Sequence, residues 1–132
     1  MYDFAVVGVG PAGARFAREA AATGHDVIAF EKGTIGTPLA CSGHVSTDIW
    51  EYVPDGAVTD LRQNTIYGAR FHVGGPQTDP HPFYKREAVS HVIDRVDLDR
   101  TLATAARRCG ADIRDAHPVR SIDESDDRVN LT

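Results

Sequence analysis

The feature that most restricts the fold of this chain is a set of three closely spaced glycines near its start. Gly8, Gly10 and Gly13 form a G-x-G-x-x-G pattern that follows the apolar, β-branched stretch at residues 3 to 8. Such a pattern predicts a buried strand, a tight turn at the first glycine and a helix that packs closely through the third. The second glycine leaves the backbone open to the approach of a ligand.

The residues after the glycines complete a strand–helix–strand unit. Pro11 suits the first turn of a helix, and Gly24 is a natural residue to end one. Residues 26 to 30, "DVIAF", predict a second buried strand that ends at Glu31. The unit spans residues 3 to 31, a length that a parallel βαβ unit requires. Positions at helical spacing within it are Ala12, Phe16, Ala20 and Thr23.

The chemistry of this unit favours a bound dinucleotide. The N-terminus of the helix offers unpaired N–H groups and a partial positive charge, which suit a pyrophosphate. Glu31 follows Gly8 by 23 residues, where an acid hydrogen-bonds the hydroxyls of an adenosine ribose and repels a 2′-phosphate. The alternative is a glycine-rich turn in an unrelated α/β protein. Candidate cofactor-binding residues of the unit are Gly8, Gly10, Pro11, Ala12, Gly13 and Glu31.

Residues 33 to 94 predict a loop and an inserted antiparallel segment. A loop at 33 to 45 precedes a short helix at 46 to 53, capped by Ser46 or Thr47. Residues 64 to 74 and 82 to 93 predict an antiparallel pair of strands. An NAD-binding domain normally continues with another compact strand and helix, whereas flavoproteins commonly insert such a segment. The insert therefore favours FAD over NAD.

Residues 95 to 132 predict a helix, a short strand and a hairpin. Asp97 is a candidate N-cap, and the helix ends at Gly110. A strand follows at 111 to 113, and a hairpin surrounds "ESDD" near the end of the chain. The predicted apolar face of the helix consists of Leu98, Leu102, Ala105 and Cys109.

Composition excludes several classes of protein. The 132 residues are 42% apolar and 25% charged, as in a single globular domain, and the net charge of −5 disfavours nucleic-acid binding. Two cysteines 68 positions apart form no disulfide framework, and no signal peptide or apolar run of about 20 residues is present. We therefore expect a cytoplasmic protein whose contact with a membrane surface stays open. Aromatic residues that would line either an apolar tunnel or an ordinary core are Trp50, Tyr52, Tyr67, Phe71, Phe83 and Tyr84.

The stretch from Asp3 to Lys32 resembles the FAD-binding start of the glutathione-reductase-like flavoproteins. "GTPLACSGHVS" and the later "VIDRVDLDRTLATAARRCGADI" are similar to the geranylgeranyl reductase family, especially its archaeal members. The resemblance implies an α/β, Rossmann-like FAD-binding domain with an inserted antiparallel segment. It also implies FAD as cofactor and the reduction of isoprenoid double bonds in membrane lipids as the activity.

The family resemblance assigns roles to individual residues. Ala12 would contact the pyrophosphate, and Glu31 and Lys32 the adenosine ribose. Arg95 would contact the FAD at the edge of its nucleotide half, and the backbone of Val119 the adenine. For Arg95, the alternative from the residues alone is a surface ion pair with Asp99, one helical turn along.

The same resemblance places Cys41, Ser42 and His44 along the flavin. Cys41 is the one catalytic candidate, and its alternative role is that of a small buried hydrophobic residue. Cys41 and His44 have the spacing of metal ligands, but a zinc site needs about four, so no metal is expected.

The resemblance implies an isoprenoid lipid as substrate and either ferredoxin or NAD(P)H as electron donor. The alternatives are a hydroxybenzoate-type flavin monooxygenase and a non-catalytic nucleotide-binding fragment. The chain has no Gly-Asp pair to match the family's later motif and no second mononucleotide half. We therefore expect an N-terminal fragment with an exposed apolar sheet edge, weak FAD binding and no turnover by itself.

Overall fold

The computed structural model describes residues 1–37 and 41–132. Pro38, Leu39 and Ala40, which belong to the predicted loop, lie outside the described residues. The chain divides into two compact units, one formed by Met1–Leu39 with Val96–Thr132 and the other by Ala40–Arg95. The bounds predicted for the insert, 33 to 94, stay a prediction.

The described residues form helices and strands in both units. In chain order they are β1 (Phe4–Val7), α1 (Pro11–Ala22), β2 (Val27–Phe30), β3 (His44–Ser46), a 3₁₀-helix (Thr47–Tyr52), α2 (Val58–Leu61), β4 (Arg62–Ile66), β5 (Gly68–His72), β6 (Pro80–Tyr84), β7 (Ser90–Ile93), α3 (Arg95–Arg108), β8 (Asp112–Arg114), β9 (Ile122–Glu124) and β10 (Val129–Leu131).

A parallel sheet of order β1-β2-β8 organises the first unit. β1 pairs with β2 in the register Phe4↔Val27 to Val7↔Phe30, and α1 connects the two strands. The N–H of Glu31 donates to the carbonyl of Arg114 at 2.8 Å, which continues the pairing of β2 with β8 by one residue. The predicted strand–helix–strand unit is therefore present, and its two strands end at the same edge of the sheet.

Helix α1 buries small residues against the sheet, and they are not the positions that helical spacing indicated, Ala12, Phe16, Ala20 and Thr23. Its buried side chains are Ala14, Ala17 and Ala21, whereas Phe16 is 46% exposed. The Phe16 ring packs edge-on against the exposed Phe4 ring instead. Helical spacing alone does not distinguish two neighbouring faces of an alanine-rich helix. Alanine on the inner face allows the helix to approach the sheet closely.

Helix α3 begins two residues earlier than predicted. It starts at Arg95, so Asp97 lies in its first turn and is not the N-cap. Cys109 follows the end of the helix and is half-buried. The buried side chains of α3 are Leu98, Asp99, Leu102, Ala103 and Ala106. Of the four positions predicted as its apolar face, only Leu98 and Leu102 are buried.

The second unit contains antiparallel sheets. β7 is the central strand of the order β3-β7-β4, and β5 pairs with β6 in a hairpin. Each long predicted strand is thus two shorter strands, and the predicted antiparallel pairing is confirmed twice. The predicted short helix is a 3₁₀-helix, and the Ser46 hydroxyl caps it by accepting from Asp48 N–H. The predicted loop ends earlier, because His44–Ser46 pairs with β7 as β3.

The first unit exposes apolar surface along β1. Phe4 is 39% and Val7 56% exposed, although both lie in a parallel strand, which is ordinarily buried on both faces. An open groove separates β1 from the β9–β10 hairpin, where Ile122 and Val129 are also exposed. Near this groove, Asp112 accepts hydrogen bonds from the Arg114 guanidinium and from the Tyr2 hydroxyl. These bonds, that of Arg114 first, lower the pKa of the Asp112 carboxyl.

No helix among the described residues is both long and apolar enough to span a membrane.

Candidate functional site

The glycine loop connects β1 to α1 as the pattern predicts. Gly8 has a φ of +96°, and its N–H donates to the carbonyl of Phe30 at 2.7 Å. A Cβ placed on Gly13 would overlap the carbonyl oxygen of Gly8 and lie 3.2 Å from Cγ1 of Val6. The turn therefore needs glycine at 8 for its conformation, and α1 needs it at 13 for its close approach to β1.

Gly10 differs, because neither backbone nor packing requires a glycine there. It is the N-cap of α1, with φ −75° and ψ −174°, an extended conformation open to any residue. A Cβ on Gly10 would meet no atom within 4 Å. Serine, threonine or aspartate would cap the helix better. Glycine at this position therefore fits a ligand that occupies the space of the missing side chain.

The first turn of α1 is suited to an anion. Pro11 is its first residue, and the first hydrogen bond of the helix runs from Ala14 N–H to the Gly10 carbonyl at 2.9 Å. The N–H groups before Ala14 have no acceptor inside the helix. No acidic residue lies in this first turn, so no carboxylate of the turn itself offsets its partial positive charge. Ala12 is exposed in this turn.

The half-buried carboxylate of Glu31 faces the glycine loop. Its Oε2 accepts from Val9 N–H at 2.9 Å, and its Oε1 accepts from Gly33 N–H at 3.4 Å. These two bonds hold the carboxylate in place and use about half of its acceptor capacity. The remaining capacity is available to the hydroxyl groups of a ligand.

Gly10 and Glu31 line one cleft of about 220 Å³, and Asp99 lines it with them. Asp99 is only 6% exposed, so it is not a surface residue, and its ion pair with Arg95 stays a prediction. Asp99 was not among the residues predicted for the site. The available signal was an acid within the apolar face of α3. The cleft is lined by Val9, Gly10, Glu31, Lys32, Thr34, Gly36, Thr37 and Asp99.

The segment before Val119 lies beside Glu31. Ala116 N–H donates to the Gly33 carbonyl at 2.9 Å, and His117 N–H donates to the Glu31 carbonyl at 2.8 Å. Val119 follows two residues later and is half-buried, but it does not line the cleft. The structure therefore places the segment near the predicted ribose site and leaves the adenine contact of Val119 a prediction.

The other predicted site residues, Cys41, Ser42, His44 and Arg95, belong to the second unit. Cys41 is exposed, so its alternative role as a small buried hydrophobic residue is wrong. Arg95 Nη1 lies 3.1 Å from Cys41 Sγ, although the residues are 54 positions apart. Ser42 Oγ accepts from His44 N–H at 3.3 Å, and the His44 ring hydrogen-bonds the Ser90 hydroxyl. The structure thus brings Cys41 to Arg95 and connects Ser42 to His44.

The contact between Cys41 and Arg95 predicts a reactive thiol. A guanidinium beside the sulfur stabilises the thiolate, which is the form that alkylating agents attack. We expect Arg95→Met to slow the reaction of Cys41 with iodoacetamide by about threefold to tenfold. Peptide mass spectrometry follows both cysteines in one sample, and half-buried Cys109 is the internal control. An unchanged rate at Cys41 would exclude this effect of Arg95.

Most of the predicted aromatic set is exposed in the second unit. Ordinary core packing is therefore wrong for these side chains, and an apolar tunnel stays a prediction. Trp50 is half-buried, and its ring lies 5.3 Å from the ring of the buried His91. The exposed members are Tyr52, Tyr67, Phe71, Phe83 and Tyr84.

The chain has curated relatives over most of its length. It is 32% identical over 119 residues to the digeranylgeranylglycerophospholipid reductase of Methanosarcina acetivorans. The aligned residues cover 86% of this chain and 28% of the relative. It is 31% identical over 132 residues to the enzyme of the same name from Thermoplasma acidophilum, covering 97% of this chain and 33% of the relative. The chain is homologous to the geranylgeranyl reductases. No protein-family model matches it.

Solved structures agree with this homology. A geranylgeranyl bacteriochlorophyll reductase-like protein from Thermoplasma acidophilum superposes with a TM-score of 0.82 at 30% identity, over 97% of this chain and 33% of that one. The halogenase PltM in complex with phloroglucinol and FAD gives 0.75 at 20% identity, over 99% of this chain and 31% of PltM, which shows a shared fold alone. The predicted family resemblance is confirmed. The chain spans about a third of the length of these relatives.

Proposed function

We propose that this chain binds FAD and that the cleft of the first unit holds the ADP part of the cofactor. The observation that carries the proposal is the open space at Gly10, at the N-terminus of α1, in the same cleft as the Glu31 carboxylate. A diphosphate needs open space at the N-terminus of a helix, and a ribose diol needs an acceptor such as the Glu31 carboxylate. In the protein without a ligand, neither packing nor backbone conformation requires a glycine at position 10.

The residues present fit the nucleotide half of FAD. The N–H groups of the first turn of α1 would donate to the diphosphate, and Glu31, held by Val9 and Gly33, would accept from the ribose hydroxyls. The β1-α1-β2 unit would thereby act as one half of a Rossmann-type fold. When bound, FAD supplies the hydride chemistry, and the protein supplies its binding and orientation.

The activity we propose is the reduction of isoprenoid double bonds in lipid biosynthesis by the protein in which this sequence functions. The names of its relatives, at about 30% identity, support a lipid reductase over a hydroxybenzoate-type monooxygenase. Either ferredoxin or NAD(P)H would supply the electrons. Flavin contacts by Cys41, Ser42, His44 and Arg95, and ribose contact by Lys32, are part of the proposal.

Calorimetric titration of the chain with FAD and with ADP tests the nucleotide site. We expect one site for each ligand and a loss of affinity of about tenfold or more in Glu31→Gln, because hydrogen bonds to a charged group are lost. Glu19→Gln is the matched control, since Glu19 pairs with Arg15 on the exposed face of α1. Its affinities should equal those of the wild type.

A near-UV circular dichroism spectrum accompanies each titration. A well-packed chain that binds neither FAD nor ADP would overturn the proposal. Equal losses in Glu31→Gln and Glu19→Gln would show that Glu31 is not a ribose contact.

A further inference from the structure

Asp99 is a charged residue on a helix face that is otherwise apolar. Leu98, Leu102 and Ala103 beside it are 1%, 3% and 0% exposed, and Asp99 itself is 6% exposed. Burial of a carboxylate is costly unless polar groups compensate for it. Asp99 interacts with another group of the protein, and a carboxylate can accept about four hydrogen bonds.

The loop after β2 brings Asp99 to the cleft. Gly36 packs so closely on α3 that a Cβ there would lie 3.0 Å from the Val96 carbonyl oxygen. Val96 and Asp99 are three residues apart and therefore share a side of α3. The loop that follows Glu31 thus lies against the side of α3 that carries Asp99. Both carboxylates line the cleft as a result.

We propose that Asp99 is a specificity-determining residue of this cleft, where it accepts a hydrogen bond from a hydroxyl of the bound ADP group and excludes a ribose that carries an additional phosphate. This inference rests on the proposed function. A buried carboxylate favours hydroxyl donors and repels phosphate oxygens, so together with Glu31 it makes the cleft selective for an unphosphorylated ribose.

The test compares Asp99→Asn with Asp97→Asn in calorimetric titrations with ADP and with 2′-phosphorylated ADP. Asp97 lies on the same helix but is 59% exposed and pairs with Arg100 at 3.4 Å. We expect Asp99→Asn to bind ADP about tenfold more weakly and to lose about tenfold of the wild-type preference for ADP over its 2′-phosphate. Asp97→Asn should change neither. A purely structural role would not change the preference.

Wild-type affinity and preference in a folded Asp99→Asn variant would overturn the inference. Should that variant misfold by near-UV dichroism, Asp99→Glu decides, because it keeps the charge and shifts the oxygen atoms. Weaker ADP binding with retained exclusion of the 2′-phosphate supports the inference, and unchanged ADP binding overturns it. A well-packed wild-type chain that binds neither ADP nor FAD refutes the proposed function itself, and this inference with it.

Discussion

Gly13→Ala is expected to lower the melting temperature of the chain by about 10 °C, from a loss of about 3 kcal/mol in the free energy of unfolding. The added Cβ would overlap the Gly8 carbonyl oxygen and press on the Val6 side chain. The backbone of Gly8, held between β1 and α1, cannot move aside as the end of a flexible side chain can. The overlap can therefore be relieved only if α1 shifts away from β1, and this shift loosens the packing of Ala14 and Ala17 against the sheet.

Thermal unfolding followed by far-UV circular dichroism measures this effect. Ala12→Ser, an exposed change in the same turn, is the matched control and should leave the melting temperature within about 2 °C of the wild type. An unchanged melting temperature in Gly13→Ala would mean that α1 does not lie as close to β1 as the structure places it.

Gly10→Ser is expected to change stability and binding in opposite directions. Serine is the better N-cap, so the free energy of unfolding should rise by a few tenths of a kcal/mol. The new side chain would occupy the open space at the start of α1, and its hydroxyl would compete for the N–H groups that a diphosphate needs. We expect the affinity for FAD and for ADP to fall by at least about tenfold.

Titration calorimetry and thermal unfolding of the same sample measure both effects of Gly10→Ser. Wild-type affinity for ADP in this variant would show that no phosphate lies against Gly10. Weaker binding with a lower melting temperature would instead indicate a disturbed loop, and the change would then say nothing specific about the diphosphate.

The sequence itself predicted the local elements of the first unit, because their causes are local. An apolar run ended by Gly8, a proline at the first helical position and a glycine after the helix predict a strand, a helix and its end. Each effect involves neighbours within a few residues. The spacing from Gly8 to Glu31 predicted an acid at the ribose of a bound dinucleotide, and the structure places both residues where the parallel strands β1 and β2 end. The hairpin near "ESDD" was predicted on the same local grounds.

The tertiary structure decided which faces and which distant residues meet. Helical spacing favoured the side of Phe16, yet close packing on the sheet admits only the alanine side of α1. The spacing of Asp99 to Arg95 allowed a surface ion pair as an alternative, whereas in the structure Asp99 is buried and lines the cleft. Cys41 and Arg95 are 54 positions apart in sequence. Such contacts depend on how separate segments pack in three dimensions, and the spacing of residues along the chain does not determine that packing.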